Sequence, residues 1–195
     1  MDQKFKLLAT QLGEHRLKFD VDITEHLKSG LGGQAEAFYI ATSIRELVKA
    51  LEDCQDLRIP VLIIGLGSKV AISEAGLKGL VIKNRSDSMK IFGIKGKVSK
   101  KGIGIEEAFL EAESGVTLAR LAEYATSQGL GGLEVFRSNL GTLGGSLYIT
   151  PALKEKIHQV KVFTSSGEVE NVEVPDLKRE DIILSVVFKL QAKKP

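Results

Sequence analysis

The chain has 195 residues, 43% of them hydrophobic and 27% charged, which suits one ordinary globular domain or two small lobes sharing an interface. A formal charge of +2 argues against nucleic acid and anionic membranes, which call for a strong basic excess. The single Cys54 excludes an intrachain disulfide framework and any cysteine-based zinc site, and it points to a reducing, cytoplasmic compartment. The opening Met1-Asp-Gln-Lys-Phe-Lys-Leu-Leu is too charged for a signal peptide. No run approaches the roughly 20 apolar residues of a membrane span. Twenty glycines against four prolines indicate many tight turns, and the absence of tryptophan argues against stacking platforms for single strands or glycans.

Residues up to about Lys28 read as a mixed lead-in with a short helix near Lys4 to Leu12. Ser29-Gly-Leu-Gly-Gly33 precedes a strand over residues 35–41. Ser43 and Glu46 form a capping box, serine oxygen to the Glu46 N–H and glutamate side chain back to Ser43. Ile44, Leu47, Val48, Leu51 and Cys54 then recur at helical spacing, with Cys54 a buried apolar residue rather than a nucleophile. Residues 59–64 are a continuous apolar, β-branched run, as expected of a strand covered on both faces. Val70-Ala-Ile72 and Leu80 to Lys83 predict further short strands, with Gly76 and Gly79 at turns between them. Strand, helix, strand, glycine loop and strand make a small α/β lobe over residues 1–85.

From Met89 the pattern changes, and residues 86–195 read as a second lobe, an antiparallel sheet with helices. Two alternating segments flank Lys95-Gly-Lys-Val-Ser-Lys-Lys101, a solvated hairpin tip or, alternatively, a phosphate grip. Thr117 caps a helix with the face Leu118, Leu121, Ala122 and Ala125, closed by Gly129. Residues 160–164 and 169–174 form a hairpin about Ser165-Ser-Gly167, and residues 182–190 are the last strand.

Two glycine-rich segments carry the chemistry. Gly141, Thr142, Gly144, Gly145 and Ser146 put three glycines and two hydroxyls into six positions. Gly65-Leu66-Gly67-Ser68-Lys69 follows the apolar run directly. Glycine lets a ligand come close to the backbone, turns through positive φ and leaves N–H groups to point at an anion, while hydroxyls add donors for phosphate oxygens. Gly65-x-Gly67 leads into strand-like sequence rather than a helix, which excludes a Rossmann turn. Glu134 and Arg137 are the charged residues nearest the second segment, with structural pairing the competing reading. His15, His26 and His158 have no carboxylate or cysteine at ligand spacing and read as surface residues. No catalytic group and no metal site emerges.

In their order, these segments resemble the UDP-N-acetylenolpyruvoylglucosamine reductase (UDP-N-acetylmuramate dehydrogenase) family from about Ile23 to Leu190. The matching stretches are Leu31-Gly-Gly-Gln-Ala35, Pro60-Val-Leu-Ile-Ile-Gly-Leu-Gly-Ser68, Gly76-Leu-Lys-Gly-Leu-Val-Ile82, Ser114-Gly-Val-Thr-Leu, Gly132-Leu-Glu134, Gly141-Thr-Leu-Gly-Gly145 and Ile183-Leu-Ser-Val-Val-Phe-Lys-Leu190. The resemblance implies an α+β, two-lobed FAD-binding domain of the vanillyl-alcohol-oxidase (PCMH) type. It implies FAD as cofactor, held by Gly65, Leu66, Gly67, Ser68, Lys69, Gly141, Thr142, Gly144, Gly145 and Ser146, and NADPH or a UDP-sugar as partners of a larger protein.

The chain also departs from that family. Gly30 stands where the family has Arg, Lys69 where it has Asn, Asn139-Leu140 where it has Ile-Pro, and Thr150-Pro-Ala-Leu153 where it has Asn-Ala-Gly-Ala. The Tyr-Arg-x-Ser segment has no counterpart around residues 174–181, and the substrate-binding third domain would follow Leu190. The resemblance therefore implies an FAD-binding domain that is not catalytically complete as this chain. The alternative is a paralogue of the same fold acting as a non-flavin scaffold or interaction protein.

Overall fold

The computed structural model describes residues 2–28, 30–68, 70, 72–99 and 102–193. It divides into two compact units, Met1–Ser86 and Asp87–Pro195. The first holds α1 (Gln3–Leu12), β1 (Lys18–Asp22), β2 (Gln34–Ala41), α2 (Ile44–Asp56), β3 (Val61–Ile64) and β4 (Leu77–Asn84). The second holds β5 (Met89–Ser99), β6 (Gly102–Glu113), α3 (Leu118–Ser127), β7 (Leu130–Gly131), α4 (Leu143–Leu147), α5 (Pro151–Lys154), β8 (Ile157–Phe163), β9 (Val169–Val172) and β10 (Ile182–Ala192). No helix among the described residues is long and apolar enough to cross a membrane.

In the first unit, α1 starts at Asp2, whose carboxylate accepts from the Lys4 N–H (3.2 Å), and it buries Phe5, Leu8, Ala9 and Leu12 on one stripe. α2 starts at Ser43, whose hydroxyl oxygen accepts from the Glu46 N–H (3.3 Å). The return half of the expected capping box is not made. The Glu46 carboxylate turns instead to the N–H and hydroxyl of Thr42 (2.8 and 2.9 Å) and to both terminal nitrogens of Arg16 (2.8 and 2.9 Å). A two-point guanidinium contact outcompetes a single amide for the same oxygens. Arg16 also donates to the Ile40 carbonyl (3.1 Å) and lies 4.9 Å from the Tyr39 ring centroid, so it fastens the start of α2 to β2.

The sheet order is β1-β2-β4-β3, with β2, β4 and β3 parallel and β1 antiparallel to β2. α2 packs against β2 and β4, and α1 against α2. By the two-residue alternation of a strand, one face of the sheet carries Phe38, Ile64 and Val81, which cluster with Ile23, Leu27 and Ile72, and Ala35 joins them across the register shift between Ala35 and Ala37. β1, within the supposed lead-in, shows the same alternation in its burial.

Three strand expectations need correction. β3 is an edge strand, paired only with β4, and Val61, Leu62 and Ile63 are half-buried rather than covered on both faces. Val70 and Ile72 form no strand; Ile72 joins the apolar cluster and Val70 packs against it, and Ala71 lies outside the described residues. Gly79 is not a turn but a bulge inside β4, where the register with β2 slips between Ala35↔Leu77 and Ala37↔Leu80. Its φ is +100°, a Cβ there would come within 2.2 Å of the Pro60 carbonyl oxygen, and its N–H donates to Glu36 (2.9 Å).

In the second unit the antiparallel sheet runs β5-β6-β10-β8-β9, with β7 pairing the far end of β10. The helix-covered face supplies Ala108, Leu110, Ala112, Val160, Val162, Ile183, Val186, Phe188 and Leu190, packed with Leu118, Leu121, Ala122, Leu143 and Leu147. A register shift between Ile183 and Ser185 changes the phase of β10, so the inward set runs Ile183 and then Val186, Phe188, Leu190. Thr117 caps α3 by accepting from the Arg120 N–H (3.2 Å), and Gly129 follows it at φ +71°. In the basic hairpin, Lys97 pairs with Glu106 (3.0 Å) and Lys95 lies 5.4 Å from the Phe109 ring centroid, while Lys100 and Lys101 lie outside the described residues.

The Arg16–Glu46 contact makes folding acid-sensitive. The guanidinium, with the Thr42 donors, holds the Glu46 carboxyl down at about 2, below its ordinary 4.5. A depressed carboxyl stabilises the fold above its unfolded value and loses that contribution as pH falls to its folded value. Urea unfolding of wild type and Glu46→Gln should therefore differ at pH 7, with the gap closing between about pH 4.5 and pH 2. A pH-independent gap would mean that Glu46 stabilises through packing alone.

Candidate functional site

The first glycine segment leaves the carboxyl end of β3, where open parallel sheets receive ligands. Gly65 is half-buried, Leu66 and Ser68 are exposed, Gly67 is buried, and Lys69 lies outside the described residues. Gly67 has φ +65°, and a Cβ there would come within 2.6 Å of the His26 carbonyl oxygen and 2.8 Å of the Leu27 Cα. Its own carbonyl accepts from the Lys28 N–H (3.1 Å). The segment is thus laid directly on the backbone that follows the 3-10 turn Thr24–His26. His26 is not simply a surface residue. It is half-buried and stacks on Phe38 with centroids 4.4 Å apart and planes at 7°. Burial first, then Lys83, pulls its imidazole below the usual value and favours the neutral ring.

The second segment is built differently from the loop that the sequence suggests. Residues 143–147 are helical, and none of Gly141, Gly144 and Gly145 has a positive φ. The Leu143 N–H donates to the Val116 carbonyl (2.7 Å), the Gly144 N–H to the Ser114 carbonyl (2.9 Å) and the Leu118 N–H to the Gly141 carbonyl (3.0 Å). These bonds form a bridge between Thr117 and Thr142. Gly144 is needed for proximity, since a Cβ would lie 3.1 Å from the Ser114 Cβ and 3.3 Å from its carbonyl oxygen. Two N–H groups expected to face an anion are therefore already used inside the fold. The buried Thr142 differs: its side chain makes no capping bond to α4, and its N–H has no partner among the described residues. Gly145 beside it is exposed, and a Cβ there would meet only the Thr142 hydroxyl, at 3.4 Å.

The charged neighbours are engaged elsewhere. The Glu134 carboxylate pairs with Lys193 (2.9 Å) and accepts from the Gly132 N–H (2.7 Å), which together hold it at about 2. Arg137 donates to the Thr126 hydroxyl (3.0 Å). His15 and His158 are exposed, with His158 against the Phe109 ring at 5.0 Å. One residue that carries no sequence signal stands out. The Tyr148 hydroxyl, at the end of α4, lies 2.8 Å from the Lys178 carbonyl and 2.7 Å from that of Asp181. It ties the glycine segment to the stretch just before β10, and burial first, then Asp181 and Glu180, pushes its hydroxyl up to about 12.

A family model described as FAD binding domain matches residues 35–173, a span containing both glycine segments. The chain belongs to that family. FAD is accordingly the cofactor of this FAD-binding domain, and the residues present suit its diphosphate. In the second unit the buried Thr142 has an N–H with no partner among the described residues, and Gly145 beside it is exposed; in the first unit, taken by itself, Gly67 is held where no side chain fits. Among relatives, the UDP-N-acetylenolpyruvoylglucosamine reductase of Desulfosudis oleivorans is 29% identical over 182 residues, covering 91% of this chain and 56% of that protein. The same-named protein of Lachnoclostridium phytofermentans is 27% identical over 193 residues, covering 96% and 58%. The chain thus spans a little over half the length of these relatives.

The FAD-binding domain also resembles solved structures. UDP-N-acetylenolpyruvylglucosamine reductase from Thermus caldophilus superposes with a TM-score of 0.66 at 19% identity, over 89% of this chain and 62% of that one. p-Cresol methylhydroxylase with substrate bound gives 0.59 at 14% identity, over 100% and 45%. At these identities the likeness establishes the fold, the two-lobed α+β FAD-binding domain of the PCMH type.

The two glycines of α4 should separate structure from binding. Gly144→Val drives a branched side chain into Ser114, and overpacking of this kind costs about 1–3 kcal/mol. Gly145→Ala should leave stability unchanged or raise it by up to about 1 kcal/mol through helix propensity, while weakening FAD. Denaturant unfolding and flavin-fluorescence titration of both variants distinguish these effects; equal destabilisation by the two would leave Gly145 with no separate binding role.

Proposed function

We propose that this chain is the FAD-holding part of a flavoprotein oxidoreductase resembling UDP-N-acetylenolpyruvoylglucosamine reductase, with Gly65, Leu66, Gly67, Ser68 and Lys69 and Gly141, Thr142, Gly144, Gly145 and Ser146 as its cofactor contacts. The observation that carries this reading is the single family match running through both glycine segments. Bound flavin supplies hydride transfer, here between NADPH and the enolpyruvyl double bond of a UDP-sugar in peptidoglycan precursor synthesis. This chain's residues bind and orient the cofactor: backbone N–H and hydroxyl donors take the diphosphate, and glycines keep side chains out of its path. The compartment this work requires is the cytoplasm.

By themselves the 195 residues do not complete that reduction. It needs a proton delivered to the carbon beside the hydride acceptor, and a positioned donor contributes typically about 10²–10⁴-fold. Near the second glycine segment, Glu134 is paired with Lys193, and the Tyr148 hydroxyl faces two backbone carbonyls. Neither is available as a proton donor. A second reading, a scaffold that binds no flavin, draws support from the Leu143 and Gly144 N–H groups being consumed within the fold.

Titration of the apoprotein with FAD should give saturable fluorescence quenching at roughly tens of micromolar or below, about −6 kcal/mol. Absence of binding at that level favours the scaffold. In an NADPH-oxidation assay with the enolpyruvyl UDP-sugar, the FAD-loaded chain should show no substrate-dependent turnover beside a full-length reductase. Turnover within tenfold of the full enzyme would put the proton donor inside these residues.

A further inference from the structure

Lys83 occupies the carboxyl end of β4, in register with Ile64, the last residue of β3 before the chain turns into Gly65. Its ammonium nitrogen lies 3.4 Å from the His26 carbonyl oxygen. A Cβ on Gly67 would meet that same oxygen at 2.6 Å. The lysine head and the glycine segment therefore share one wall, the backbone at His26, at the end of the parallel strands where such sheets receive phosphate-bearing ligands.

The charge around this point is lopsided. Lys83 is half-buried and forms no ion pair among the described residues. Burial first, and then Arg85, works against its protonation. Lys18, Lys83 and Arg85 all bias neighbouring His26 toward the neutral form, and only Glu25 opposes them. A partly desolvated ammonium with cationic neighbours and one long hydrogen bond to a carbonyl is an incomplete arrangement, because buried charges in folded proteins are ordinarily paired. An anion set against Gly67 and Ser68 would complete it. Lysine is suited to that role as a compact charge for phosphate oxygens.

We propose that Lys83 is a cofactor-binding residue of this chain, its ammonium neutralising the diphosphate of the dinucleotide beneath residues 65–68. The proposal rests on the FAD-binding reading and adds to it a residue outside both glycine segments. It makes this contact a charge interaction, where the glycines and hydroxyls of the two segments offer neutral donors.

Binding of FAD, ADP and riboflavin to wild type, Lys83→Met and Lys83→Arg tests the assignment. Hydrogen bonds to charged groups are worth about 1.5–3 kcal/mol, so Lys83→Met should weaken FAD and ADP by about tenfold to a hundredfold and flatten their salt dependence. Riboflavin, which has no phosphate, should distinguish wild type from neither variant, and Lys83→Arg should restore most of the affinity. The ligand-free thermal midpoint of Lys83→Met should be no lower than that of wild type, since an unpaired half-buried charge has been removed. Unchanged FAD and ADP affinity in Lys83→Met overturns the role of Lys83 and leaves the FAD reading intact. Loss of affinity together with a lowered midpoint, unrescued by arginine, makes Lys83 structural and also overturns it. Absence of FAD binding by wild type overturns both readings.

Discussion

Backbone meeting backbone at distances that exclude any side chain is the constraint on which each unit depends. In the first unit a Cβ on Gly33 would fall 2.5 Å from the Glu74 carbonyl oxygen, and one on Gly76 would fall 2.4 Å from that of Gln34. Gly67 is held in the same way against His26 and Leu27, and Gly79 against Pro60. In the second unit a Cβ on Gly96 would fall 2.2 Å from the Gly104 carbonyl oxygen, and Gly144 lies close enough to Ser114 for its N–H to donate directly to the Ser114 carbonyl. Contacts of this kind carry no hydrophobic area. They bring polar backbone groups together at chosen points, and the apolar clusters hold the surrounding elements.

The charges divide by whether the fold itself answers them. Arg16 and Glu46 answer each other and Thr42, Glu134 answers Lys193 and Gly132, and Lys97 answers Glu106. Such groups orient elements, and the Glu46 and Glu134 carboxyls are held down at about 2 by their partners. Lys83 is different because its environment adds like charge and desolvation with no ion-pair partner among the described residues. An unanswered charge is a more specific pointer to a ligand than a glycine segment is, because glycines also serve tight internal packing, as Gly144 does. Fold likeness does not settle the chemistry: a reductase and p-cresol methylhydroxylase share this architecture at 19% and 14% identity to the chain.

The elements written in local pattern were legible from sequence. The faces of α2 and α3, the Ser43 and Thr117 caps, the β8–β9 hairpin and the apolar run of β10 depend on neighbours within a few residues, and each formed as its pattern indicated. The ordered glycine segments likewise determined the family, because spacing along a chain survives where individual side chains have changed. Tertiary pairing decided the rest. A run such as residues 59–64 announces burial but not rank in a sheet, so the edge position of β3 appears only with strand order. Gly79 reads as punctuation until register shows a bulge, and Gly144 reads as a flexible turn until Ser114 is seen against it. Glu46 left Ser43 for an arginine thirty residues earlier in the chain. Lys83 lies well outside the glycine motif it adjoins, and only the parallel register of β3 and β4 brings its charge to Gly67. Local propensity acts over one turn or one strand, whereas charge pairing and close backbone approach act through space; that difference separates what the sequence by itself determined from what the folded chain decided.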